Sequence, residues 1–166
     1  MRISGPCRLK RTPSDEADAV ILTFNHRWEQ MLLEKKLDIV FRKQGPSGFT
    51  PKLIYAYVTA PTSAILCCAP IVAYDEMPVA KAVTLADRGC IDVSELKTYS
   101  GVNGKLIVME LGAILVAKSP ITYEFLSKHY NYWPSSTFIP LSKSGVAILD
   151  ELGGFSARLK RTKHEE

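Results

Sequence analysis

The chain has 166 residues, 46% of them hydrophobic and 23% charged, which excludes disorder and leaves enough sequence to bury one core without staples. A net charge of +4 permits a polyanionic partner without demanding one. No apolar run reaches the ~18 residues of a membrane helix, and residues 1–11 hold Arg2, Pro6, Arg8, Lys10 and Arg11 where a signal peptide needs an apolar core, so a cytoplasmic protein with no membrane partner is expected.

Residues 1–18 read as a flexible tail, mixing Gly5, Pro6, Pro13 and charges without periodicity. Residues 19–24 form a short apolar strand. Residues 26–36 follow as a helix, with Asn25 as N-cap and Trp28, Met31 and Leu32 on one face. Residues 38–42 are a strand, and 44–51, with two Gly and two Pro, a loop. The β-branched and aromatic run 53–59 is a strong strand. After a turn at 60–62, residues 63–74 form a long strand broken or bulged at Pro70.

Helices are expected over 78–88 and 92–99, the second with Asp92 and Glu95 close to a capping box. A strand-rich stretch at 105–116 bends near Gly112. A helix covers 122–130, a loop 133–136, a last strand 137–141, and a terminal helix 142–152 closed by Gly153. Residues 153–166 are a basic tail. The string Arg-Leu-Lys-Arg-Thr occurs at both 8–12 and 158–162, and the neighbouring acids in each tail favour two solvated termini over two nucleic-acid arms. The domain proper is thus residues 19–152. Long apolar strands with short connections predict an α+β fold, a small and mostly antiparallel β-barrel flanked by helices.

The four cysteines offer no metal site. Cys67 and Cys68 are adjacent, so on a strand they face opposite ways; Cys7 and Cys90 stand apart, and no C-x-x-C or nearby His completes a ligand set. No cofactor motif occurs, and none is expected. His26, His129 and His164 lack an acid-partner pattern, and Asp75-Glu76 and Asp150-Glu151 read as solvated charges at element ends.

Several ordered stretches resemble the ASCH family of PUA-like domains. They are Leu33-Glu34-Lys35-Lys36, Val40-Phe41-Arg42-Lys43, Ile54-Tyr55-Ala56-Tyr57 with Ala60-Pro61, Ala64-Ile65-Leu66-Cys67, and Trp133-Pro134-Ser135-Ser136-Thr137-Phe138. The likeness spans about residues 20–142. It implies a PUA-like barrel and an RNA or single-stranded nucleic-acid partner. Some members of the family are acetylcytidine amidohydrolases that use a Lys-Thr pair, and at least one is a ribonuclease. Here that pair reads Lys36-Leu37, and Val40 stands where a glutamate is usual, so the amidohydrolase activity is not carried over.

The candidate nucleic-acid site follows. Lys36, Arg42 and Lys52 would hold phosphate; Tyr57 and Trp133 would stack on bases; Thr59 and Ser136 complete the set. Strand alternation places Val40 and Arg42 on one face with Phe41 opposite, and Tyr55, Tyr57 and Thr59 opposite Ile54, Ala56 and Val58. A tyrosine face can equally be core, and a lysine at a helix end is favoured by the dipole whatever the function. The rival reading is a nucleic-acid-directed hydrolase using Lys36 with Glu110. A third is a protein-interaction domain that has lost its ligand.

Overall fold

A computed structural model of the chain describes residues 9–101, 104–134 and 138–155. The seven strands are β1 (Ala19–Phe24), β2 (Ile39–Arg42), β3 (Leu53–Val58), β4 (Ala64–Pro78), β5 (Lys105–Leu111), β6 (Leu115–Thr122) and β7 (Ile139–Pro140). The helices are α1 (Glu29–Leu33), α2 (Val79–Ala82), α3 (Val93–Ser100), α4 (Tyr123–Tyr130) and α5 (Lys143–Gly153). Short 3-10 turns at His26–Trp28 and Val83–Gly89 precede α1 and follow α2.

Five strand pairings are antiparallel; only β1 and β3 run parallel, joined by the crossover through α1 and β2. The order is β2-β5-β4-β3-β1-β7, with β6 also on β4. The expected barrel therefore does not close. The physical cause lies in β4, which changes partners midway. Its first half runs between β3 and β6, and pairing with β3 ends at Leu53↔Pro70; from Ile71 onward it pairs with β5. Pro70 has no N–H to continue the ladder, yet its carbonyl accepts from Gly112 N at 2.8 Å. Proline thus marks a change of partner in an unbroken strand, and of the expected break or bulge it is an irregularity of register that occurs, just after it between Ile71 and Ala73. A Cβ on Gly112 would stand 2.7 Å from Pro70 Cγ, so the close approach requires glycine there.

Alternation along the strands builds the layers. Val20, Leu22, Phe24, Ile54, Ala56 and Val58 point to one side and pack with Leu32 and Met109. Ile21, Tyr55 and Tyr57 point to the other, against Leu126, Leu149 and Phe155 from α4, α5 and the chain beyond. Ile39 and Phe41 meet Leu96 and Val108 in a third cluster under α2 and α3.

Element ends differ from expectation for local reasons. The first helix is shorter than 26–36 because Lys35 takes a left-handed backbone, φ 58°, which ends helical hydrogen bonding. Asn25 does cap its entry, accepting from Arg27 N at 3.0 Å. Asp92 makes no side-chain cap, so the expected capping box is absent; Glu95 is held by Arg27 instead. The stretch 105–116 is two strands that part around Gly112, where the bend was expected, and the second continues through Ser119 and Pro120 to Thr122. Within the segment read as an N-terminal tail, Leu9 is buried, its carbonyl accepts from Ser142 N, and Asp15 accepts from Lys143 N and Ser144 Oγ at the start of α5.

Candidate nucleic-acid interface

A cleft of about 260 Å³ opens between the turn that follows β1, strand β2 and helix α3. Phe24, Trp28, Leu37, Val40, Arg42 and Tyr99 form much of its wall. The sequence folds this way locally because Asn25 turns the chain sharply after Phe24, which lays Trp28 across the open end of β1. Leu37 and Ile39 then bring β2 back beneath it.

Arg42 is the central polar group. Its guanidinium donates to Phe41 O and Thr23 O, each at 2.9 Å, and lies 5.0 Å from the centroid of the Phe24 ring. Among the described residues no salt bridge reaches it. Burial lowers its pKa from the ordinary arginine value, and the nearby Tyr99 pulls it partly back. A guanidinium has five N–H donors, and two bonds leave capacity for a further acceptor.

Two further guanidinium and ammonium groups flank the cleft. Arg27 lies 4.6 Å over the Trp28 ring and forks onto both carboxylate oxygens of Glu95 on α3, one of them at 3.1 Å. This pairing holds Glu95 below the ordinary glutamate pKa. Lys43 stands 5.0 Å over the ring of Tyr99. The cleft therefore combines aromatic walls, a desolvated cation and a charged rim.

The other expected site residues are dispersed. Lys36 is exposed and bound to Glu34 at 2.7 Å, which raises the lysine pKa. Lys52 precedes β3, five residues from Tyr57, or about 17 Å along a strand. Tyr57 is buried, with its ring packed against Tyr132 at 5.6 Å, so it offers no open face for a base. Thr59 Oγ1 accepts from His26 N at 3.1 Å and steadies the turn that leads to Trp28. Trp133 is 70% exposed but does not line the cleft. Ser136 lies outside the described residues. Glu110 pairs with Arg88 at 2.8 Å, and no ion pair joins it to Lys36.

The sequence reading passed over Trp28 and Tyr99 as cleft walls. A Trp on the inner side of a short helix reads as core, and only the fold shows that α1 is too short to close over it. It also took Asp150 as solvated, whereas Asp150 is 4% exposed and accepts from Tyr55 Oη at 2.6 Å. Among the described residues no His/Cys/Asp/Glu cluster is arranged to hold a metal. Among the described residues no helix is long and apolar enough to cross a membrane.

The fold is an open α+β sheet with a cleft between the turn after β1, strand β2 and helix α3. No family model matches the sequence, and no curated protein matches it. Solved structures do match the fold. The ASCH protein from Zymomonas mobilis superposes with a TM-score of 0.74 over 81% of this chain and 95% of that one, at 17% identity. Tyr→Phe and Ser→Ala variants of the same protein give 0.73 and 0.74. The N-terminal domain of Staphylothermus marinus McrB gives 0.58 over 83% of this chain and 96% of that one, at 9% identity. The chain has the fold of an ASCH domain, as the ordered motifs imply.

Proposed function

We propose that this protein binds single-stranded nucleic acid, RNA by preference, and takes one unpaired nucleotide into the cleft beside Arg42. The observation that carries this reading is the Arg42 guanidinium: half-buried, and among the described residues bonded to two backbone carbonyls and to no carboxylate, in a cleft walled by Phe24, Trp28 and Tyr99. Burying a charge without a counter-charge is costly. A phosphate, or a base edge with two acceptors, would satisfy the remaining donors. The aromatic walls suit an unstacked base, and a space of this size holds one nucleoside but no duplex.

Nothing in the arrangement favours the hydrolase reading over binding, because Lys36 and Glu110 each have another partner. The interaction-domain reading fits a cleft that is closed and apolar, and this one is open with a cation inside. The test is titration of short single-stranded RNA at several salt concentrations. Arg42→Ala should weaken binding and flatten the slope of log K against log salt by about 0.7. Equal binding by a folded variant would remove Arg42 from the site. Cleaved RNA at the end of the titration would move the reading to a ribonuclease.

A further inference from the structure

Three aromatic residues of the Arg42 cleft each carry a cation. The Arg42 guanidinium lies 5.0 Å from the Phe24 centroid, Arg27 lies 4.6 Å from that of Trp28, and Lys43 Nζ lies 5.0 Å from that of Tyr99. Contacts with rings hold a cation in place without neutralising it. Arg27 is answered by Glu95 and, at longer range, by Asp92. Among the described residues no ion pair reaches Arg42 or Lys43. Arg42 is half-buried at the inner end of the cleft, and Lys43 is exposed beside it.

The hydrogen-bonding groups around Arg42 are unequal in kind. The acceptors are taken: Phe41 O and Thr23 O by Arg42, Phe24 O by Thr59 N, Asn25 Oδ1 by Arg27 N, and both Glu95 oxygens by Arg27. The donors are left over. Arg42 has five N–H groups and uses two. β2 is the edge strand of the sheet, and the Phe41 carbonyl turns away from β5 toward the guanidinium, so the Phe41 N–H points out of the ladder on the same side. The Ile39 carbonyl on that edge is backed by Gly89, where an added Cβ would come 3.3 Å from it. Every base edge presents donors as well as acceptors, and its donors would go unmet here. A phosphate presents acceptors alone.

We infer that the group held by Arg42 is a terminal phosphate, so that the cleft receives the phosphorylated end of a strand and not a nucleotide from its middle. The inference rests on the single-strand reading and names the part of the strand that enters. A phosphomonoester carries about two negative charges at neutral pH, which two unpaired cations match, whereas an internal phosphodiester carries one. Access points the same way. Arg27 and Glu95 join across the rim, in front of the deeper Arg42. An internal phosphate would have to bring a sugar on each side past that bar, and a terminal one brings a single nucleoside, whose base lies against the aromatic walls.

One RNA sequence of about eight nucleotides tests this in four forms: with a 5′-phosphate, with a 3′-phosphate, with hydroxyls at both ends, and closed into a circle. One phosphorylated form should bind roughly tenfold or more tighter than the hydroxyl-ended strand and the circle, and which one it is tells which end enters. Lys43 is exposed, so Lys43→Met should fold; it should remove most of that margin and leave the hydroxyl-ended strand nearly unaffected. Equal binding of all four forms, with Arg42→Ala still weakening each, would overturn the inference and leave the single-strand reading standing. A phosphate preference that survives both Lys43→Met and Arg42→Ala would place the phosphate elsewhere and overturn it too. No binding of any form would end both proposals.

Discussion

Asp150 and Arg42 are both charged side chains drawn inward, on opposite sides of the same sheet, and they are treated differently. Asp150 sits on α5 and receives the Tyr55 hydroxyl at 2.6 Å, with the Phe155 ring set edgewise against Tyr55 at 5.8 Å. That side of the sheet is sealed by α4, α5 and the residue after them. Arg42 has two backbone carbonyls and no acid, and its side of the sheet is left open by a helix only five residues long. A buried polar group that is fully partnered fixes structure; one that is partly partnered retains capacity for a ligand. The first region should therefore answer to stability measurements and the second to binding measurements.

Phe155→Ala should break the sealed side most severely. Phe155 is 1% exposed and covers Tyr55, and deleting such a ring costs about 3–5 kcal/mol. Urea unfolding should show that loss, while RNA binding per folded molecule stays the same. Tyr55→Phe removes one hydroxyl from a carboxylate and should cost about 1.5–3 kcal/mol, again with binding intact. If either variant weakened RNA binding without loss of fold, the division between the two sides would fail.

Arg42→Met reverses the pattern. It removes a desolvated charge and keeps much of the packing volume, so stability should change by no more than about 1 kcal/mol. Binding of single-stranded RNA should nevertheless fall about tenfold to a hundredfold, the worth of a hydrogen bond to a charged group. Large destabilisation with unchanged binding would mark Arg42 as a structural residue that ties β2 to the end of β1.

The strands were legible because β-propensity and period-two alternation act locally. Val40 and Phe41 fall on opposite sides as alternation requires, and so do Ile54 and Tyr55. Closure of the sheet was not legible, because it depends on β4 exchanging partners at Pro70, a tertiary event that leaves only a proline in the sequence. The cleft was half legible. Arg42 declared itself as a cation sharing a strand face with an apolar residue. Tyr57 and Tyr99 could not be told apart, since two tyrosines with similar local signals end up one in the core and one at a cleft wall. Lys36 looked available because residues two apart on a helix do not face each other, and Glu34 reaches it once the helix has ended at Lys35; Glu110 looked available because nothing in the sequence places Arg88 beside it.

An ion pair spans the rim of the cleft. Arg27 and Glu95 join the turn before α1 to α3 at the cleft rim, far apart in sequence and exposed to water. The side-chain bond from Arg27 holds the Glu95 carboxyl below its ordinary pKa, so folding favours the ionised form. Whatever stability this pair contributes is present at neutral pH and is lost as pH falls from the ordinary glutamate value through the depressed one. An exposed pair contributes little in a screened solvent, so Glu95→Gln should leave neutral-pH stability nearly unchanged and make the acid limb of the unfolding curve shallower. Its clearer signature belongs to the open side: Arg27 freed from Glu95 can reach a phosphate at the rim, and Glu95→Gln should tighten RNA binding at low salt with the gain fading at high salt. Tightening that persists at high salt would mean that the substitution reshaped the cleft and did not merely free a charge.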